Sequence, residues 1–386
     1  MTGRPKVLFV GRTRYRQPLP PGLQRKWEAL GRELDYRVLA SAADGAGSEG
    51  RFELLAPSRF RRLDGLLFHL RLPGRVRRAI RAFDPDVVVA EDPPAAAAAL
   101  VARRGRRPRI VAEVHGNWRL ATRLYGSPGR RLVAPAADWV ARLALRRADA
   151  VRALSPYTAA LVEDVRGEPP AAAFPTYSDL AAFTARPLRE LPERPSALFV
   201  GVLEPYKNVE GLAAAWRRVA RELPDARIVL VGKGSRRRAV DRLVAELPGS
   251  VEHVAELPPE AIAERMDESW VLVLPSRHEG LGRVVIESFA RGRGVVAGGA
   301  GGILDLVEDG VEGLLVDPED VQGLAAVLVR VLSDRALATR LGEAAAARFE
   351  DWRSTPEEYA ARMRALVDST LAPRLGRCGP TGLSST

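Results

Sequence analysis

Apolar and polar positions along the chain fall into two rounds of one alternation. Short apolar runs stand at 7–10, 36–40, 86–90, 109–114 and 149–154, and again at 197–200, 227–231, 250–254, 270–274, 294–297 and 313–316. Runs this short, rich in Val, Leu and Ile, suit buried strands. Between them lie longer stretches with helical spacing, among them 23–34, 137–147, 209–221 and 318–348. Strands alternating with helices predict parallel sheets covered by helices on both faces. The segment 167–196 breaks the rhythm: it is rich in Pro and Ala, with little periodicity, and reads as an interdomain linker. The expected class is α/β, with two facing Rossmann-like, doubly wound domains at 1–185 and 186–354. A last helix at 355–371 opens on Thr355, Pro356 and Glu357, a good N-terminal signal, and 372–386 reads as a loose tail.

One stretch carries more than its fold. Residues 270–302 read WVLVLPSRHEGLGRVVIESFARGRGVVAGGAGG, which is strand, Gly-containing loop, helix, strand. Val284, Val285, Ile286 and Phe289 supply the apolar face of the helix, and Arg291-Gly292 closes it. A loop that feeds a helix start presents unpaired N–H groups and the positive end of the dipole. That is an anion site, and phosphate is its usual guest. Glu279 lies on the loop and Glu287 follows on the helix. A carboxylate beside bound phosphate repels it, so both are expected to accept from neutral hydroxyls, Glu287 from a ribose and Glu279 from a sugar. The bare spacing would also fit an ordinary crossover with a solvated glutamate.

With its flanks LPSRHEG and ESFARG, and Gly301-Gly302 after them, the stretch resembles the donor-site motif of retaining GT-B glycosyltransferases of family 4. The resemblance spans nearly the whole chain and is strongest over 197–348. Gly201-Val202-Leu203-Glu204-Pro205-Tyr206-Lys207 resembles the family's Gly-x-Leu-x3-Lys segment, in which Lys207 would sit on a diphosphate as a point charge. The family usually carries an arginine where this chain has Val202; Arg283 or Lys233 would then replace that contact. Gly232, after the strand at 227–231, permits close backbone approach, and Leu257 lies on a loop expected near the base. The donor set so implied is Gly201, Val202, Lys207, Gly232, Leu257, Glu279, Gly280, Leu281, Gly282, Arg283 and Glu287.

His115-Gly116 ends the strand 109–114. A lone histidine is more often structural than catalytic, but in the resembled family a His-Gly pair here faces the donor sugar. The resemblance therefore implies His115, Glu279 and Lys207 as the catalytic group. The Ser155-Pro156 turn resembles the family's last first-domain strand and loop, and the final helix is expected to cross back onto the first domain. The resemblance further implies transfer with retention of configuration, with no metal and no other cofactor, the nucleotide sugar being a substrate. Diphosphate charge would be met by Lys207, the 280–283 amides and the helix dipole, preaimed groups of the kind that often dominate catalysis. No side chain stands out as a covalent nucleophile, so same-face attack is expected.

Charge changes the picture for the first half. The 386 residues carry 59 Lys or Arg against 48 Asp or Glu, a net of +11. Residues 1–185 alone hold a net of +14, and the remainder −3. A field of one sign points to an anionic partner: lipid, a phosphorylated substrate or nucleic acid. Arg12, Arg14 and Arg16 follow the first strand, where open sheets bind ligands, and are candidates for an anionic acceptor or simply a solvated loop. Residues 58–83 form a basic amphipathic stretch with eight arginines, expected to break at Gly65 and at Pro73-Gly74 into at least two pieces. Such a helix either packs on its own domain or lies on an anionic membrane, where each Arg contributes about 1 kcal/mol. No nucleic-acid-binding signature accompanies the charge, so no nucleic acid is expected as partner.

A hydrophobic content of 46% fits a packed protein. The single cysteine, Cys378, allows neither an internal disulfide nor a Cys-based metal site, and fits a reducing compartment. The first apolar run is too short for a signal peptide, and none is long enough to span a bilayer. The expected place is the cytoplasm, peripheral at the inner face of the membrane. The expected function is sugar transfer from a UDP- or GDP-sugar to a lipid-linked or polysaccharide acceptor in cell-envelope glycan synthesis. The alternatives are a non-catalytic GT-B nucleotide-binding module, which Val202 favours, and a nucleic-acid-binding protein.

Overall fold

A computed structural model of the chain describes residues 3–43, 47–57, 64–105, 107–120 and 128–373. The first sheet holds β1 (Lys6–Tyr15), β2 (Asp35–Ala42), β3 (Phe52–Leu55), β4 (Val87–Ala90), β5 (Arg109–Val114), β6 (Ala150–Ala153) and β7 (Ala172–Ala173). They lie in the order β3-β2-β1-β4-β5-β6-β7, every pair parallel. The second holds β8 (Ser196–Val200), β9 (Arg227–Val231), β10 (Val251–Val254), β11 (Val271–Leu274), β12 (Gly294–Gly298) and β13 (Gly313–Val316). Their order is β10-β9-β8-β11-β12-β13, again all parallel. Both orders reverse at the first strand, and ligands bind at that switch, outside the carboxyl ends of the strands. Two doubly wound domains, the expected class, are thus present.

Alternate residues of the first sheet feed two separate cores. Leu8, Val10, Val88, Ile110 and Val151 face the helices Asp64–Phe83, Pro93–Ala102 and Pro128–Arg147. Val7, Phe9, Val89 and Val111 face the helix Pro21–Glu33 and the last helix, Pro356–Leu371. That last helix buries Tyr359, Ala360, Met363, Leu366 and Val367 against the first domain, so the expected crossover is made. A capping box of Thr355 and Glu358 fixes its start.

Four local expectations are corrected. The first strand runs on to Tyr15, with a register shift between Val10 and Arg14 where it pairs with β2; Arg12 and Arg14 lie on this extension, not on a loop. Residues 52–55 add a strand that the pattern did not show, held at the sheet edge by Phe52 and Leu54. Asp64–Phe83 is one helix with Pro73 inside it, because burial of Leu72 and Val76 against the sheet outweighs the lost N–H. Residues 58–63 of the basic stretch, and 374–386 of the tail with Cys378, lie outside the described residues. The linker also carries structure, the short strand β7 and the helix Ala181–Thr184.

Two buried anchor systems hold that linker. Arg152 donates to the Phe174 carbonyl at 3.1 Å and to Thr176 Oγ1 at 3.1 Å, on the first domain. Arg291 donates to the carbonyls of Phe183, Arg186 and Pro187, and Arg293 to those of Arg189 and Glu190, on the second. Asp179 still pairs with Arg25 of the first domain at 2.8 Å, whereas Phe183 packs in the second core. The chain therefore changes domains between 179 and 183.

Candidate active site

β11 ends at Leu274, and the loop from Pro275 to Gly282 leads into the helix Arg283–Ala290. Gly282 caps that helix with φ +80°, a left-handed backbone that side chains disfavour. Glu287, one turn in, is 6% exposed. Its burial raises the carboxyl's pKa, against which Arg283 works, donating from Nε at 2.7 Å. Arg283 is thus committed to Glu287. Behind the loop, Gly301 and Gly302 stand against the Glu279 and Gly280 carbonyls, and the Gly302 amide donates to Glu279 at 3.0 Å.

Lys207 follows a single 3-10 turn, Pro205–Lys207, at the carboxyl end of β8. It is 8% exposed, and its Nζ lies 2.5 Å from Glu279 Oε1. The cation is therefore paired with the loop carboxylate. Lys207 also packs on Gly201, and Gly232 lies against the Gly201 carbonyl, so these three expected donor residues form one floor. Val202 is 48% exposed, Leu281 and Leu257 are half-buried against the second core, and Lys233 pairs with Glu256 near the surface.

The facing wall comes from the first domain. His115 follows β5, and its Nε2 lies 3.0 Å from Glu113 Oε2. The two domains meet here through backbone. A Cβ on Gly280 would come within 2.0 Å of the His115 carbonyl oxygen, so only glycine allows this approach. The Asn117 amide donates to His278 Nε2 at 3.3 Å, and the Tyr157 amide to Asp305 Oδ2 at 2.9 Å. Burial lowers the His278 pKa, partly offset by Glu279, which agrees with an unprotonated Nε2 that accepts.

Between the walls is a cavity of about 350 Å³. Pro93, Trp118 and Ala141 give it an apolar side, and His115, His278 and Glu279 a polar one. The structure brings His115, Glu279 and Lys207 to one place, and the remaining donor-set residues surround the same strand ends. Arg12, Arg14 and Arg16 are apart from it. Arg12 is half-buried against Gly65 of the helix Asp64–Phe83. Arg16 is exposed; Glu256, in the second domain, has its pKa lowered by Lys233 first and by Arg16 only last.

Several residues here escaped sequence reading. Glu113 and Arg152 are charged residues inside short apolar strands, and that conflict was their signal. Asn117, Asp305 and His278 carry the contact between domains and left no pattern. The Asp-x-Asp pair of Asp84-Pro85-Asp86 precedes β4 at the far end of the sheet, with Asp86 accepting from the Lys6 amide at 2.9 Å.

Two facing domains, each built on a parallel doubly wound sheet, with a cavity between them, make the GT-B architecture. Comparison with known proteins places it further. Residues 184–348 match the model for glycosyl transferases group 1, and residues 21–175 that for a glycosyl transferase 4-like domain. A GDP-mannose-dependent alpha-(1-6)-phosphatidylinositol monomannoside mannosyltransferase of Mycolicibacterium smegmatis is 30% identical over 367 residues, 85% of this chain and 90% of that one. The chain belongs to the family-4 type of group 1 glycosyltransferases. Other relatives match over less of their length. A sulfoquinovosyl transferase of Arabidopsis thaliana is 32% identical over 44% of this chain and 34% of its own. A D-inositol 3-phosphate glycosyltransferase of Streptomyces avermitilis is 34% identical over 44% and 40%. In fold, the chain is similar to sucrose-phosphate synthase from Thermosynechococcus elongatus, with a TM-score of 0.78, 21% identity, and coverage of 95% and 99%.

Proposed function

We propose that the chain transfers a sugar, with retention of configuration and without a divalent metal, from a UDP- or GDP-sugar to a lipid-linked or otherwise anionic acceptor of the cell envelope. The observation that carries this reading is the apposition of Glu279 with His115 across one cavity, with Lys207 paired to that glutamate. Lys207 and the amides entering the helix Arg283–Ala290 take the diphosphate. Glu287 accepts from the ribose hydroxyls, Glu279 from the donor sugar, and His115 faces that sugar from the first domain. The acceptor enters along Trp118 and Pro93, which offer an apolar face to a ring or an alkyl stem. Its hydroxyl attacks on the face from which the diphosphate leaves, and the departing phosphate oxygen takes the proton.

The support for a membrane-bound acceptor lies on the outer face of the first domain. The helices Asp64–Phe83, Pro93–Ala102 and Pro128–Arg147 pack side by side there, with Leu70, Val101 and Trp139 exposed by 64–68%. Arg77 donates to the Val101 carbonyl at 3.2 Å, and Arg147 lines the same hollow as Val101 and Val140. Arginines beside exposed aliphatic and tryptophan side chains suit an anionic bilayer surface. Among the described residues no helix is long and apolar enough to cross a membrane.

The test is calorimetric titration of the full chain and of Glu287→Ala with UDP, GDP, ADP and dTDP. One nucleotide should bind, and lose at least about ten-fold in affinity in the variant, as one charge-assisted contact is removed. A folded protein that binds none of them, in either form, would favour the non-catalytic module.

A further inference from the structure

We propose that Glu113 and Arg152 are positioning residues of the transfer reaction, which fix the His115 imidazole and tie it to both connections between the domains. This rests on His115 lining the reaction centre.

Glu113 stands on β5 two residues before His115, on the sheet face that the returning helix covers. Its two oxygens point to different partners. Oε2 takes the His115 Nε2 at 3.0 Å, and Oε1 accepts from Arg152 Nε at 2.9 Å. Arg152 is fully buried on β6. Its remaining nitrogens donate to the Phe174 carbonyl and to Thr176, where the linker leaves the first domain. Its guanidinium lies over the Phe174 ring at 4.6 Å and the Tyr359 ring at 5.7 Å. Tyr359 belongs to the returning helix Pro356–Leu371. One guanidinium therefore touches the His115 support, the outgoing linker and the incoming helix.

The charges settle in one arrangement. Burial by itself would raise the Glu113 pKa, but Arg152 and His115 outweigh it and hold it at about 2. A buried ion pair adds little stability over apolar residues of the same volume. What this one adds is direction. With Nε2 held by Glu113, Nδ1 is turned away from the carboxylate and the ring plane is fixed. Reacting groups misplaced by about 1 Å lose about a hundred-fold in rate, so a fixed ring matters to transfer.

The decisive variant is Glu113→Asp, which keeps a carboxylate for Arg152 but draws it back from the imidazole. Three quantities are measured on the full chain. The first is nucleoside diphosphate release from whichever of UDP-glucose, UDP-galactose or GDP-mannose the wild type turns over. The second is nucleotide affinity. The third is the imidazole ¹⁵N spectrum, which four histidines make assignable. The expected result is kcat down about ten- to a hundred-fold, unchanged nucleotide affinity, and loss of a single Nε2–H tautomer at His115. In a His115→Ala background the same change should cost nothing further, because residues acting as a unit are not additive. Arg152→Lys, which keeps the charge without the planar fork, should show an intermediate loss of kcat. An unchanged kcat and tautomer in Glu113→Asp, or a full independent loss in the His115→Ala background, would overturn the proposal. Failure of the wild type to bind any nucleotide would instead overturn the donor-site reading, and the tautomer would still decide the positioning role.

Discussion

Val202 stands where the family's segment usually carries an arginine, and nearly half of it is exposed. The two cations expected to replace it are paired with carboxylates, Arg283 with Glu287 and Lys233 with Glu256. Val202→Arg should therefore strengthen nucleoside diphosphate binding by about ten-fold, the worth of one partly solvated charge-assisted contact, read by calorimetry. His278 supplies a pH dependence. Burial lowers its pKa below the ordinary 6.5, and it accepts from Asn117 only when neutral. Its contribution to the contact between domains is full above 6.5 and disappears as the pH falls through the lowered value. Turnover should fall over that acid range, and His278→Gln, which keeps an acceptor, should flatten the fall. A pH profile that is the same in both proteins would remove His278 from the contact. Lys207, Glu279 and Glu287 were legible as residues because their spacing to glycines is local. Glu113 and Arg152 were not, because the partners that make them useful come from β6, the linker and the last helix.

Among the elements, the loop from Pro275 to Gly282 is the most constrained. It is backed by Gly301 and Gly302 and pressed against His115, Gly116 and Asn117 in front. Gly280→Ala would drive its Cβ into the His115 carbonyl, and backbone cannot yield as a flexible side chain does. We expect kcat to fall about a hundred-fold while nucleotide affinity, set within the second domain, changes little. Equal losses in both would mean that the substitution disturbs the donor floor itself. Element type was readable where burial follows a period. It failed at β1, where the strand continues through GRTRY once β2 pairs with it, and at Pro73, where packing on the sheet overrides a local breaker.

At the scale of the whole molecule the uneven charge acquires a location. Part of the +14 of the first half, Arg77 and Arg147, stands beside exposed Val101 on the helices that also expose Leu70 and Trp139. Flotation with liposomes should show retention on anionic but not neutral vesicles, weakening as salt is raised, since exposed charges are screened beyond about 10 Å at 0.1 M. Trp139→Glu should reduce retention at low salt without affecting nucleotide binding. Equal retention on duplex DNA would point to charge alone.

By itself the sequence determined the α/β class and the two-domain plan, and singled out the candidate donor residues of the second domain. Each rests on information carried within some thirty consecutive residues: strand and helix periods, glycines at loop ends, a lysine at a helix entrance. Only the tertiary structure decided how the first domain takes part. The cavity wall, the Asn117–His278 and Tyr157–Asp305 contacts, and the Arg152 junction join residues 148 to 207 positions apart or bring three separate elements to one guanidinium. Such contacts form because two sheets and a returning helix bury their apolar faces together, and no local pattern records which polar groups that burial will bring face to face.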